Sequence, residues 1–433
     1  MDLQSHLIIF SRASVYLRAL IILSLPLSAC SSCSSNGNAT PDGGDTDSDS
    51  DTDADTDSDS DTDSDTDTGP YTTDAGPWEW QDNPDGGEDC GPGCRQVTFS
   101  DDVRANEWDV WEDIVVFSGD FRRIYATNYL ESETLIVPQV HANAPIQGSQ
   151  NGALLPAFYE NKLVYQLFIS SQLPPRSELV VADFSQHVQK VVWQRDELGT
   201  DDDAYGTISS LDIHGTAITS SAGCGTPTNV NLCTYPAPYP TDGVALIDGY
   251  FVVFTTVWDN KLVFLDATEW PTHDVRGYDL DAEEFFDVTD DDYYQNTPRI
   301  GSDKVVWQDF RYSDYAPWEK HSNTVIFAKD LDTGVTTQLT DGSAIAASPD
   351  VHGDVAVWLD WRHCADPQGD VYMDFECAEV YGHNLATATE ARITNIPDRA
   401  KSTPRIWGDR VFVEMKTEAG SAIFMIDLPA QLK

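Results

Sequence analysis

Apolar residues along this chain come in short alternating runs broken by Asp, Gly, Ser and Pro, and one such run keeps returning. It reads NTPRIGSDKVVWQDFR at residues 296–311, ASPDVHGDVAVWLDWR at 347–362 and STPRIWGDRVFVEMK at 402–416. Each copy has a Pro, an apolar residue two positions on, a Gly/Ser-Asp turn, and a β-branched run ending in Trp or Val. Alternation with period two around a tight turn predicts a strand, a turn and a strand. Beyond residue 90 no stretch sustains a helical apolar period, so little helix is expected. Repetition of one hairpin unit at a period of about fifty residues is the mark of a stacked or circular array.

Aligned on the last residue of the second run, the unit falls at Phe117, Tyr165, Ser220, Phe254, Trp307, Trp358 and Val413, spaced 48, 55, 34, 53, 51 and 55 residues apart. Two further strands follow most anchors: NTVIFAKDL and TTQLT in the fifth unit, EVYGHNL and EARIT in the sixth. The third unit is poor in bulky apolar residues and reads as a degenerate copy. The last unit has three strands and ends at Lys433, while RQVTF at 95–99 resembles the fourth strand of the other units. A circular array commonly completes its final blade from the opposite terminus, which leaves no open edge. The fold class expected is therefore all-β, a seven-bladed β-propeller over residues 93–433, closed by an N-terminal strand.

These repeats resemble the TolB-like (PD40/WD40-like) β-propeller repeats of bacterial periplasmic and surface proteins. The likeness is carried by Pro298, Asp303 and the VVW of the fifth unit, with DLDTG and QLT after it, and extends over residues 95–428. It departs from the usual Ser-Pro-Asp-Gly turn. Relatives with this repeat bind partner proteins, accompany peptidases or act as lyases, so the resemblance implies architecture and leaves the activity open.

Composition changes the picture mainly at the N-terminus. Arg12 and Arg18 precede an apolar run at 19–29, too short to span a bilayer, which ends in Leu27-Ser28-Ala29-Cys30. That order resembles the lipobox of bacterial lipoproteins, which implies a signal peptide over 1–29, lipidation of Cys30 and a seat in the cell envelope at the outer membrane. Residues 30–92 are expected to form a disordered Ser/Asp-rich stalk, because Asp occupies every odd position from 45 to 67 and nothing there can bury a core. Such a run binds Ca²⁺ weakly and diffusely; it lacks the Gly and the terminal Glu of a structured calcium loop. No other cofactor and no metal centre is expected. Export permits disulfides, and six cysteines form close pairs expected to staple local loops: Cys90 with Cys94, Cys224 with Cys233, Cys364 with Cys377. The formal net charge is −48, and beyond residue 68 there are still 59 acidic against 23 basic residues. A body this acidic repels phosphate backbones, which excludes nucleic acid as a partner. The expected partners are the bilayer, through acylated Cys30, and a protein or saccharide ligand of a monomeric propeller.

Candidate chemistry sits on the loops following the second strands. QDFRYSDYAPWEKHSN and LDWRHCADPQGDVYMDFEC place Tyr312, Tyr315, Trp318, Trp361 and Arg362 where stacking area and orienting hydrogen bonds would combine, as ligand surfaces require. Asp309-x-Arg311 and Asp360-x-Arg362, with Asp120-x-Arg122 out of register, look like a carboxylate with its positioning Arg. They repeat, which favours a structural ion pair. His214 and His352 occupy matched places before the turn in units three and six and, with His363, are the residues a metal centre would use; packing at the turn explains the pair equally well. No Gly-x-Ser-x-Gly, phosphate loop or dinucleotide fingerprint occurs. The reading is a binding module, with a polysaccharide lyase or glycosidase using the loop face as the alternative.

Overall fold

The computed structural model describes residues 78–433 apart from 84–86, 100–102, 104–106, 120–122, 139–151, 170–175, 197–207, 209, 216, 222–231, 235–243, 248–251, 269–272, 314–322, 365–374, 397–398 and 419. Among the described residues twenty-nine strands form seven antiparallel sheets, and the one helical segment is the short turn Ala430–Leu432. Six blades are meanders running outward from the axis. Blade 1 begins at Trp108–Trp111, blade 2 at Gly152–Tyr159, blade 3 at Leu211–His214, blade 4 at Val252–Trp258, blade 5 at Gln295–Gly301 and blade 6 at Ala346–His352. Blade 7 runs Lys401–Trp407, Arg410–Lys416, Ser421–Asp427 and is completed by Cys94–Gln96 from the other end of the chain. Inner strands neighbour one another around the whole circle, the last against the first.

The seam made by that closure is as dry as the others. Val97, Trp108, Val110, Phe117, Phe412, Ile423 and Met425 share one apolar cluster between blades 7 and 1. Closure also begins earlier than expected. Trp80–Asp82 pairs with Glu133–Ile136 and adds a fifth strand to blade 1, and Trp78 packs on Phe184 and His187 of blade 2. Between these strands Glu88 pairs with Arg399 at 2.9 Å. The folded body therefore starts by Trp78, not at 93: aromatic residues inside the Gly/Pro-rich segment find an open sheet edge to cover. One strap thus joins blades 2, 1 and 7. The signal segment, Cys30 and the Asp run lie outside the described residues.

Strand register corrects the reading of the fourth unit. The run ending at Phe254 is the inner strand of blade 4, and its hairpin partner is Lys261–Asp266. The equivalent anchor is Phe264, 44 residues after Ser220 and 43 before Trp307, which removes the anomalous spacing of 34. Blade 3 is complete, with strands of only three or four residues.

The recurrent Pro has a physical cause. Inner strands carry a bulge, seen as register breaks at 154/157, 253/256, 296/299, 347/350 and 402/405. Leu155, Phe254, Thr297 and Ser348 take positive φ there, and Pro156, Pro298, Pro349 and Pro404 lie in the breaks, where no ladder N–H is required. The anchor tryptophans, Trp307 and Trp358, are the largest fully buried side chains. Two of the expected disulfides form, Cys90–Cys94 at the start of the closing strand and Cys364–Cys377 in the loop after the second strand of blade 6. Cys233 is also disulfide-bonded; Cys224, the partner expected for it, lies outside the described residues.

Candidate functional site

In every blade the inner strand ends, just before its turn, at one position that points toward the axis. In order the seven residues are Trp111, Tyr159, His214, Trp258, Gly301, His352 and Trp407. Six are rings, and they meet over the axis rather than only between neighbours. Trp111 of blade 1 lies 5.1 Å from His214 of blade 3 and 5.9 Å from Trp258 of blade 4, centroid to centroid. Trp258 reaches Trp407 of blade 7 at 6.0 Å, and Trp111 touches Trp407 at 4.1 Å. The channel is therefore plugged at the turn face. Gly301 completes the circle because a Cβ there would fall 2.0 Å from the Val351 carbonyl oxygen.

The matched histidines belong to this plug. His214 Nδ1 accepts from the Asp259 N–H at 2.8 Å, and His352 Nδ1 accepts from the Gly408 N–H at 3.3 Å; each donor is the turn of the next blade. Burial holds His214 down to about 4, with Asp259 opposing, so the ring is neutral and suited to accept. His363 is elsewhere, bonded to the Tyr381 hydroxyl. The three do not converge, and among the described residues no group of three or more His, Cys, Asp or Glu is arranged to hold a metal ion.

Two residues before each plug position lies a second ring: Asp109, Ala157, Asp212, Thr256, Arg299, Asp350 and Arg405. Several of these tie blade to blade. Asp109 accepts from the Phe158 N–H at 3.0 Å, Asp212 from Val257 at 2.8 Å, Asp350 from Ile406 at 2.9 Å, and Thr256 Oγ1 from Ile300 at 3.3 Å. In each case the donor is an inner-strand N–H of the following blade that has no sheet partner on the channel side, so the side chain satisfies it. Arg299 and Arg405 carry no acceptor and cannot do this. Burial raises Asp109 above the usual carboxylate range. Burial, then the charge of Asp109, raises Asp212 to about 7. Burial, then the charge of Arg299, brings Arg405 down to about 10. The ring is thus an electrically tense layer just inside the plug.

Inner strands run toward the plug from the opposite face, where the second strands end. There each Asp-x-Arg motif closes on itself. Arg311 grips Asp309 through Nε and Nη2, both at 2.8 Å, and Arg362 grips Asp360 at 2.9 and 2.7 Å. Asp309 and Asp360 also face the indole N–H of Trp307 and Trp358 at 3.4 and 3.0 Å. Each guanidinium covers a ring of the third strand, Arg311 over Phe327 at 4.1 Å and Arg362 over Tyr381 at 4.2 Å. The motif is a structural fastener: Trp, Asp and Arg at i, i+2 and i+4 lock the end of the second strand, and Arg311 also reaches Asp291 in the segment leading in from blade 4, at 3.0 Å. Asp120 and Arg122 lie outside the described residues.

Of the five residues expected to contact ligand, Tyr312 is 48% exposed on the loop face and donates to Gln338 at 3.1 Å. Arg362 is engaged by Asp360 and by Glu390 at 2.7 Å. Trp361 is corrected: it is 3% exposed, packs beside Phe375 and Cys364 in the core, and offers no face to a ligand. Tyr315 and Trp318 lie outside the described residues. The channel ring was missed, although its position is legible. In TP-R-I, SP-D-V and TP-R-I it is the one variable residue between the Pro and the apolar residue that defined the repeat.

Among solved structures, an oligogalacturonate lyase from Vibrio parahaemolyticus superimposes with a TM-score of 0.50 and 11% identity, covering 78% of this chain and 94% of that one. The tricorn protease superimposes with a TM-score of 0.50 and 10% identity over 76% of this chain, which spans only 34% of the protease chain. No protein-family profile and no curated protein sequence matches the chain. At such identities the likeness shows the fold alone: the chain is a seven-bladed β-propeller like the propellers of these enzymes.

Proposed function

We propose that this chain is an exported bacterial lipoprotein, held at the outer membrane through an acylated Cys30 and lifted on its acidic stalk, whose TolB-like propeller is a binding module. The ligand, a protein or saccharide, engages the loop face and the channel that opens there. The observation that carries this reading is the plug. A channel filled at one end by six rings is a pocket rather than a conduit, and the residues next to its floor are a one-off set of both charges. The arrangement that most resembled catalysis, Asp with Arg, recurs in successive blades and secures strand ends. Phe254 marks the way in: at 37% exposed it is the one large apolar side chain on a described inner strand that faces open space, between the charged ring and the loop face.

The test uses the full chain, immobilised and challenged with peptides and with neutral and charged saccharides. Bound ligand is expected to be recovered with unchanged mass and to be lost on Phe254→Ser. Recovery of cleaved or unsaturated product would replace the binding module with an enzyme. Incorporation of labelled lipid should vanish in Cys30→Ser; labelling that persists would remove the anchor.

A further inference from the structure

Resting on that reading of the channel as a pocket, we infer that its charged layer takes a small zwitterion, with the ligand's carboxylate set against Arg299 and Arg405 and its cationic group against Asp109 and Asp212. The charges are sorted by side. Blades 1 and 3 contribute Asp109 and Asp212; blades 5 and 7 contribute Arg299 and Arg405, with Asp350 between them. Ala157 and Thr256 keep the intervening positions small. No hydrogen bond, and no ion pair within 4.0 Å, joins an acid of this ring to an Arg of this ring among the described residues. They sense one another only at a distance, as the mutual effects on their ionisation show. Opposite charges held in one ring without pairing keep donors and acceptors open to a third group.

Blade closure does not explain these charges. Thr256 ties its neighbour with a neutral hydroxyl, so the tie needs no carboxylate, and an Arg cannot make it at all. Arg405 is the sharpest case. It is 8% exposed, it sits at the channel register, and its Nε has no hydrogen-bond partner. A guanidinium so placed loses hydration and regains only the face of Trp108, 5.8 Å away, and carboxylates with which it forms no hydrogen bond; a bound carboxylate would supply the missing acceptors in bidentate form. The acids keep matching capacity. Asp109 and Asp350 each give one oxygen to the neighbouring blade, and Asp212 gives Oδ2 to Val257 and Oδ1 to the N–H of its own neighbour Ile213; an ionised carboxylate has about four acceptor sites. A cation on the ligand would take the remainder.

The experiment is calorimetric titration of the full chain with ω-amino acids from glycine to 6-aminohexanoate, each beside its N-acetyl and methyl-ester form. One chain length is expected to bind, with both blocked forms weaker by about tenfold or more. Arg405→Gln and Arg299→Met should each weaken it by at least about tenfold, as should Asp212→Asn, which retains an acceptor for the Val257 N–H and so preserves the blade tie. Circular dichroism of each variant confirms that it is folded. Equal binding of the N-acetyl form, equal binding of the ester, full affinity in folded Arg299→Met, or no amino acid bound at about 1 mM would each overturn the inference. If peptides or saccharides still bind in a Phe254-dependent manner, the binding module stands and only its zwitterion fails; if they do not, the pocket itself is refuted.

Discussion

Replacing Trp111 with Ala tests whether the aromatic plug holds the circle shut. Trp111 is the hub: its ring meets Tyr159, His214, Trp258 and Trp407 at 4.2, 5.1, 5.9 and 4.1 Å. Truncating a fully buried Trp costs ~3–5 kcal/mol. Trp111 is only partly buried, which takes the figure toward the lower end. A second correction works in the same direction. The indole N–H is buried without an acceptor, and removing an unsatisfied donor returns on the order of 1 kcal/mol. The net expectation is about 2 kcal/mol lost, read as a lower urea midpoint with an unchanged slope and a weaker near-ultraviolet dichroism from the coupled rings. Trp111→Phe separates the two contributions, since it keeps a ring and deletes the N–H, and should fall within about 1 kcal/mol of the parent. A cost for Phe equal to that for Ala would show that the N–H has a partner. A cost for Ala under about 0.5 kcal/mol would show that the rings merely rest over the channel.

Gly301→Ala should destabilise by about 1–3 kcal/mol, because the new methyl meets the Val351 carbonyl and must push neighbouring inner strands apart; Ser302→Gly beside it, at φ 59°, should be neutral or slightly stabilising in the same melt. Asp360→Asn leaves the half-buried Arg362 guanidinium with Glu390 as its remaining anionic partner and should lower stability by roughly 2 kcal/mol, whereas exposed Tyr312→Ala should change it by less than about 0.5 kcal/mol; similar losses in both would remove the fastener role. Asp212 carries a pH signature. Its folded carboxyl titrates near 7 against a usual 3.8, so its contribution is fully present below pH 3.8 and is lost as pH rises to about 7. Relative to the parent, Asp212→Asn should therefore gain stability between pH 4 and 7 and stay level above, with an upper bound of roughly 4 kcal/mol that channel water reduces. A pH-independent difference would refute the buried-acid account.

The blade pattern was legible because it rests on local rules: alternation, a tight turn, and a closing strand whose sequence matches the blades it completes. What sequence misread follows from physics that acts across blades. IDGYFVVF around Phe254 has the look of a second strand, and only pairing with KLVFLD shows it to be the first. Trp361 looks like a loop aromatic, but it packs with Cys364 and Phe375 in the core. The matched histidines cannot be assigned from one blade, since the N–H each accepts belongs to the next. The strap at 80–82 escaped because three residues carry no period; only the open edge of Glu133–Ile136 makes them a strand.

The position that varies from blade to blade is the one the repeat leaves free. Buried anchors are constrained by packing on two sides and the turn residues by positive φ, but the side chain two places before the plug has at most one N–H of the next blade to accept. Differences there are therefore available to recognition at little expense to the fold. The field around it narrows what can arrive. With 59 acidic and 23 basic residues beyond position 68, a simple anion bound for Arg299 and Arg405 must climb a repulsive potential, whereas a molecule of zero net charge does not. The same potential would draw a simple cation to many surface carboxylates besides Asp109 and Asp212. Only a ligand carrying both charges gains from the sorted walls without being excluded or scattered on the way in. Its association should accordingly change little with ionic strength, while that of a plain anion would quicken as salt screens the acidic surface.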